Sequence, residues 1–178
     1  TFLPTGRVWA GTGNFEDLLT NGQFHHSLWV TAKFTFFAVS AEMLIGFGIA
    51  LLLNKKLKFR GLMQTLFLVP IVISPTVVAL LWQLLYSQEG VIDYLVIPLL
   101  GHRIAWLSDP AVALWAIIIP DIWQWTPMVV LVMLAGLQAV PDHMKEAAIM
   151  DGANRRQRFI DITLPYLKNL IVLLLILR

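Results

Sequence analysis

Apolar residues in this chain form long runs that short polar segments separate, instead of alternating with polar residues as in a soluble protein. Three runs, at residues 34–53, 62–86 and 111–137, are long enough to cross a bilayer as helices, which takes about 20 residues. A fourth run, 170–177, ends at Arg178. The pattern predicts an all-α, polytopic transmembrane bundle with three full spans and the start of a fourth.

Composition supports a membrane environment. Hydrophobic residues make up 58% of the 178 positions and charged residues 13%, whereas a soluble domain has about 45–50% and about 25%. The absence of cysteine excludes a disulfide framework and a thiolate metal site in this chain. Because the chain begins at Thr1 and the fourth run is short, we expect a single transmembrane domain, residues 1–178, that is incomplete at both ends.

The basic residues predict the orientation of the spans. Segments 54–61 and 138–169 hold nine of the thirteen Lys and Arg residues, and two spans separate them. The positive-inside rule therefore places both segments in the cytoplasm. Segments 1–33 and 87–110 are then expected on the outer side.

Prolines interrupt two of the spans. Pro70 and Pro75 lie in the second, and Pro120 and Pro127 lie in the third. Each removes a backbone donor and bends a helix, which a membrane protein tolerates where neighbours or a cavity satisfy the freed carbonyl groups. Simple kinks and a gating role are both open interpretations.

The second basic segment contains two short predicted helices with a break between them. Asp142 is a plausible N-cap of the first, and Gly152 can end it in the left-handed conformation. Asn154 can cap the second helix, which is predicted to run to Leu164 before Pro165 marks a turn into the last span. From residue types alone, an amphipathic loop resting on lipid headgroups is an equally good interpretation.

The spacing in this loop resembles a known motif. Glu146-Ala147-Ala148 is followed after three residues by Gly152, and after nine more by an Ile-x-Leu-Pro sequence at 162–165. This resembles the EAA loop of binding-protein-dependent ABC importers. Further similarities to their sugar-importing branch cover nearly the whole chain; they include Asp151-Gly152-Ala153, Gln157, Phe159, Arg60-Gly61, Pro70 and Gly136-Leu137-Gln138.

The resemblance implies that the loop 138–165 couples the spans to an ATPase. It would insert into a cleft of the ATP-hydrolysing subunit through a set of coupling residues: Glu146, Ala147, Ala148, Asp151, Gly152 and Ala153. The chain lacks a G-x-x-x-x-G-K-[ST] phosphate loop. We therefore expect no enzyme activity and no cofactor in this chain, with ATP and Mg²⁺ bound by the partner.

The same resemblance implies an importer permease of the bacterial plasma (inner) membrane that moves a sugar or polyol. Its expected partners are ABC ATPase subunits, a second, homologous permease subunit, an extracytoplasmic solute-binding protein and the lipid bilayer, but no nucleic acid. Import of a sugar phosphate or an amino acid stays open. A secondary transporter coupled to protons through Glu42 and Asp121 is an alternative of a different class.

Two carboxylates, Glu42 and Asp121, fall near the middle of predicted spans, where charge is costly and usually faces a cavity or a partner. For Glu42 a structural contact between helices is favoured. For Asp121 a structural hydrogen bond between helices and a place in the substrate path both stay open; the path is suggested because amide groups and flat rings around it suit a sugar. The predicted path residues are Asp121, Gln124, Trp123 and Trp125, with Gln83 as a weaker candidate.

No metal is expected, since the adjacent pair His25-His26 lacks ligand spacing.

Overall fold

The computed structural model describes residues 11–55 and 60–178, and these residues form helices and turns without a strand. The helices, in chain order, are α1 (Gly13–Thr20), α2 (Gly22–Leu53), α3 (Arg60–Val72), α4 (Pro75–Leu85), α5 (Val91–Leu100), α6 (Ala113–Ala139), α7 (Asp142–Met150), α8 (Arg155–Arg158) and α9 (Leu164–Leu177). A π-helical turn, Phe159–Thr163, joins α8 to α9. The predicted all-α class is confirmed.

The chain divides into two compact units, Thr1–Phe36 and Phe37–Arg178. In the described part of the first unit, the side chain of Asn21 accepts a hydrogen bond of 2.9 Å from the backbone N–H of Gln23 and so caps the start of α2. The second unit contains the candidate site. A single domain over residues 1–178 stays a prediction.

Three helical segments of the described chain are long and apolar enough to span a membrane: Gly22–Leu53, Ala113–Ala139 and Arg155–Leu177. The first two correspond to predicted spans, although α2 begins twelve residues before the predicted start at residue 34. The predicted second span at 62–86, in which Pro70 and Pro75 were expected to bend the helix, is broken into two helices. That region consists of α3 and α4, which meet at a bend of 95°.

The prolines explain why this region breaks. Pro70 lies inside α3, whereas Pro75 begins α4. Pro75 disfavours helical backbone at Ser74, whose φ of −57° and ψ of 138° are extended. Pro75 itself needs no hydrogen-bond partner in the first turn of α4.

The last span also differs from the prediction. The helical run is continuous from Arg155 to Leu177, and Pro165 lies in the first turn of α9 instead of marking a turn in the chain. A π-helical turn, Phe159–Thr163, precedes α9, and Pro165 occupies one of the first two positions of α9, where a proline is tolerated. The continuous helix is therefore 23 residues long, and the eight apolar residues counted from the sequence, 170–177, form its C-terminal end.

Helices α2, α6 and α9 share one hydrophobic core. Its buried members are Ala50, Leu53, Val129, Val130, Met133, Leu134, Leu137, Leu167 and Leu174. Two glycines permit the close approach of these helices. A β-carbon on Gly46 would lie 2.7 Å from the Cβ of Val129, and one on Gly136 would overlap the side chains of Leu167 and Leu170. The core thus fixes the three helices that carry the buried charges described below.

Candidate coupling loop and charge cluster

The first candidate site is the segment formed by α7, its C-terminal turn and α8. Helix α7 contains no buried residue, and Met150 at its end is 87% exposed. Asp142 is the first residue of α7 and not its N-cap, which is Pro141. The side chain of Asp142 instead forms an ion pair of 3.0 Å with Lys145. An exposed helix with apolar side chains at its end offers a surface to another molecule.

The break after α7 has the geometry of a Schellman motif. The backbone N–H of Gly152 donates to the carbonyl of Ile149 at 3.0 Å, and the N–H of Ala153 donates to the carbonyl of Ala148 at 2.9 Å. Gly152 has φ = +78°, so the predicted left-handed conformation is confirmed. Residues 148 and 151–153 of the predicted coupling set therefore form one compact turn.

The second helix of the loop begins at a reciprocal cap. The side chain of Asn154 accepts from the backbone N–H of Gln157 at 2.9 Å, and Gln157 accepts from the N–H of Asn154 at 2.8 Å. This capping box confirms the predicted start of the helix. It fixes the direction of α8 immediately after the Schellman turn.

Glu146 projects from the middle of α7 and is exposed. It forms no hydrogen bond or ion pair within the part of the chain that the structure describes. Ala147 is exposed beside it, and Ala148 is half-buried. The carboxylate and the two small side chains are thus available at a surface where a partner could approach closely.

Two contacts connect the loop to the membrane helices. The hydroxyl of Tyr166, in the first turn of α9, donates to the carbonyl of Ala139 at the end of α6 at 3.1 Å. The rings of Phe159, in the π-helical turn, and Phe47, in α2, have centroids 6.1 Å apart. The segment that follows α8 is thus in contact with α2 through the π-helical turn and with α6 through α9.

The second candidate site is a cluster of three charges in the core. Arg178 donates from Nε to Glu42 Oε2 at 2.8 Å and from Nη2 to Glu42 Oε1 at 2.6 Å. Its Nη2 also donates to Asp121 Oδ2 at 2.6 Å. Glu42 is fully buried, whereas the side chain of Asp121 is 21% exposed. One cation thus bridges carboxylates from α2 and α6.

Trp125 completes this cluster. It lies one helical turn after Asp121 on α6, so both side chains occupy the same face. The guanidinium carbon of Arg178 lies 4.7 Å from the centroid of the Trp125 ring, in a cation–π arrangement. Asp121 and Trp125, two of the predicted path residues, therefore share one partner.

The other predicted path residues face a different part of the structure. The amide of Gln124 is buried and donates to the carbonyl of Ile73 at 3.3 Å, at the break between α3 and α4. Trp123 packs edge-on against Trp82 with 6.1 Å between ring centroids. Gln83 is exposed on α4. The predicted set is thus divided, since Asp121 and Trp125 contact Arg178, whereas Gln124 and Trp123 contact residues at and after the α3–α4 break.

Sequence reasoning missed Arg178, which it treated as the end of an apolar run. A signal was present, because two carboxylates within apolar spans require a partner. An Arg that follows an apolar run in a third helix supplies the matching charge. Distance in the sequence concealed this, since 136 positions separate Arg178 from Glu42.

Residues from the two basic segments meet in the structure. Lys55, after α2, and Arg155 and Arg156, in α8, line one cavity of about 580 Å³. These three residues therefore lie at the same end of the second unit. The membrane side of the two segments stays a prediction.

Three of the described helical segments are apolar and long enough to span a membrane, and the chain carries an exposed loop that is broken at Gly152. The family described as "Binding-protein-dependent transport system inner membrane component" matches residues 42–178. The chain belongs to this family. It is therefore an integral membrane protein.

Relatives support the assignment. The chain is 38% identical over its whole length to the trehalose/maltose transport system permease protein MalF of Thermococcus litoralis, covering 60% of that protein. It is 43% identical over 88% of its length to the probable ABC transporter permease protein y4oQ of Sinorhizobium fredii, covering 51% of it.

A solved structure has the same fold. A chain of a bacterial alginate ABC transporter, determined with an alginate pentasaccharide-bound periplasmic protein, matches with a TM-score of 0.81 and 26% identity. The match covers 94% of this chain and 59% of that one. The present chain thus spans between half and two thirds of the length of these three proteins.

Proposed function

We propose that the full-length protein is the membrane-spanning subunit of an ATP-driven ABC importer and that it moves a sugar or polyol inward. The observation that carries this proposal is the exposed α7, which ends in a Schellman turn at Gly152 and has the spacing of the EAA loop. Relatives named for trehalose/maltose and alginate transport support the substrate class.

In this proposal α7 and its turn bind in a cleft of an ATPase subunit, which holds ATP and Mg²⁺. Exposed Glu146 offers a carboxylate to donors in the cleft, and Ala147 and Ala148 permit close approach. Movement of the loop reaches α6 through Tyr166 and α2 through Phe159. ATP binding would thereby shift the equilibrium between outward-open and inward-open states, because it stabilises one of them selectively.

The remaining partners are a second, homologous permease and an extracytoplasmic solute-binding protein. The membrane is the bacterial inner membrane, with segments 54–61 and 138–169 in the cytoplasm. The shared cavity of Lys55, Arg155 and Arg156 supports a common side for the two segments. Their positive charge supports the cytoplasmic side.

For the substrate path, Gln83 is the strongest of the predicted residues, because it is exposed on α4 and its amide suits the hydroxyl groups of a sugar. Trp123 is 38% exposed, but its ring lines the apolar groove between α2, α3 and α6. Asp121 and Trp125 would contribute through Arg178, which already binds both. Gln124 has an internal partner and is assigned a structural role.

The coupling role is tested with Glu146→Lys in the full-length permease, co-expressed with its ATPase. Placing a cation where the ATPase is expected to offer donors should abolish both co-purification and substrate-stimulated ATP hydrolysis in liposomes. Glu89→Lys, at an exposed acidic residue between α4 and α5, is the matched control and should retain both. Normal assembly and normal hydrolysis in Glu146→Lys would disprove the coupling assignment.

Two alternatives are distinguished by transport assays. Import of a sugar phosphate or amino acid would appear as competition by those solutes in uptake assays. A proton-coupled secondary transporter would work in vesicles without ATP. Arg178 binds both Glu42 and Asp121. This argues against a proton-coupled transporter, because a carboxylate that carries protons must bind and release a proton in each cycle.

A further inference from the structure

We propose that the chain holds an anionic phospholipid, with its phosphate at Lys55, Arg155 and Arg156 and one acyl chain in the groove between α2, α3 and α6. The proposal rests on two cavities. The first, of about 580 Å³, contains the three cations. The second, of about 820 Å³, is an apolar groove. Leu52 and Lys55 belong to the walls of both, so the two cavities are contiguous.

The smaller cavity has the chemistry of a phosphate site. Its polar lining residues are Asn54, Lys55, Arg155 and Arg156, and no acidic residue lines it in the described chain. None of the three cations forms an ion pair among residues 11–55 and 60–178. Basic pockets between helices at the end of a bundle attract anionic headgroups, at about 1 kcal/mol for each Lys or Arg.

The lining of the groove suits an acyl chain. Its walls include Ile45, Ile49 and Leu52 of α2 and Leu66 and Phe67 of α3. Thr126, Trp123 and Lys55 are its lining residues with polar groups. A sugar in such a groove would leave most of its hydroxyl groups without partners, which is costly. A hydrocarbon chain requires no hydrogen-bond partners.

The length of the groove also fits a lipid. From Ile45 to Leu53 the helix rises about 12 Å, and the headgroup cavity begins just beyond it. This matches about half of the ~30 Å hydrocarbon core, the depth of one leaflet. A transmembrane helix of another subunit would fill the groove equally well, but it would not require three cations at one end.

The headgroup is tested with the full-length permease assembled in its transporter. The complex is reconstituted in phosphatidylcholine nanodiscs that contain phosphatidylglycerol, and the retained lipid is counted by native mass spectrometry. The wild type should retain phosphatidylglycerol over phosphatidylcholine. Arg155→Gln/Arg156→Gln should weaken this retention about fivefold for each cation, roughly 25-fold in all. Lys33→Gln/Arg103→Gln removes the same charge elsewhere and should leave retention unchanged.

The groove is tested with Leu52→Trp, whose larger side chain would occupy both cavities. Leu44→Trp is the matched control, since Leu44 lies on the same helix, is 76% exposed and lines neither cavity. Loss of the lipid in Leu52→Trp alone supports the proposal. Equal retention in all variants would overturn it.

Two other occupants give different results. If the double Gln variant keeps its lipid but loses the ATPase, the cations form a protein interface and the proposal is wrong. If inorganic phosphate displaces the headgroup and Leu52→Trp has no effect, the cavity binds phosphate without an acyl chain. That result would also overturn it.

Discussion

Arg178 binds both oxygens of the Glu42 carboxylate, through Nε at 2.8 Å and Nη2 at 2.6 Å, across 136 positions of the chain. This paired geometry is the strongest form of an Arg–carboxylate contact. Because the same guanidinium also reaches Asp121, the three residues join α2, α6 and α9. The cluster thus stabilises the arrangement of these helices in an apolar environment.

The first prediction concerns this cluster. Arg178→Met leaves two carboxylates in the core without a counterion, which typically costs about 3–5 kcal/mol. We expect a lower midpoint of thermal unfolding, measured by fluorescence-detected size-exclusion chromatography. Lys168→Met, an exposed substitution on the same helix, should leave the midpoint unchanged. An unchanged midpoint in Arg178→Met would show that the cluster contributes little to stability.

A second prediction concerns the packing of α2 on α6. Gly46→Leu would force a side chain against Val129, because even a Cβ would lie 2.7 Å from the Cβ of that residue. Overpacking of this kind costs about 1–3 kcal/mol. Gly48→Leu is the control, since its Cβ would meet nothing within 4 Å. We expect a stability loss in the first variant and none in the second, by the same thermal assay; equal behaviour of the two would contradict the packing.

A third prediction separates structure from substrate binding at Gln124. Gln124→Leu leaves the carbonyl of Ile73 unpaired at the break between α3 and α4, at a cost of about 1–3 kcal/mol. We expect lower thermal stability with an unchanged KM for transport. Gln83→Leu should show the reverse, a raised KM at normal stability. If Gln124→Leu raises KM without affecting stability, the amide contacts substrate instead.

A large part of the fold could be predicted from the sequence, because runs of apolar residues report helix length and location directly. The first and third spans and the turn at Gly152 follow from such local signals. The break at Ser74 did not, since prolines indicate a distortion without its angle. The last helix begins before Pro165, at Arg155, and the sequence did not show this. From sequence alone, a proline in the first turn of a helix looks the same as a proline that ends one.

The charge cluster could not be predicted for a different reason. Its residues come from three helices, and an ion pair between them depends on the rotation of each helix about its axis. Hydrophobic periodicity normally indicates that rotation, but spans that are apolar on every side carry little of it. Gln124 and Asp121 were assigned to one site for another reason: residues three positions apart are neighbours on a helix surface, yet these two side chains contact different partners.

Orientation provides a fourth prediction. These 178 residues contain no cysteine, so single substitutions can be labelled selectively. Ser108→Cys should react with a membrane-impermeant maleimide in intact cells, and Arg156→Cys should react only after the membrane is permeabilised. Labelling of Arg156→Cys in intact cells would reverse the orientation proposed from the basic segments.

The last prediction concerns the turn at Gly152, and the chain supplies its own control. Gly152 and Gly101 both have left-handed backbone, with φ of +78° and +75°, and a Cβ on either would meet nothing within 4 Å. Substitution by alanine therefore strains both turns to a similar extent, about 1–2 kcal/mol, without a steric clash. The two turns differ in location, since Gly152 follows α7 in the proposed coupling loop and Gly101 follows α5.

If the loop transmits ATP binding, Gly152→Ala should lower substrate-stimulated ATP hydrolysis and transport, because the strain alters the angle between α7 and α8. Gly101→Ala should leave both rates unchanged and should reduce thermal stability by a similar amount. The measurement is ATP hydrolysis by each reconstituted transporter with and without its loaded solute-binding protein. Equal loss of stimulation in the two variants would mean that general destabilisation, and not the coupling turn, determines the rate.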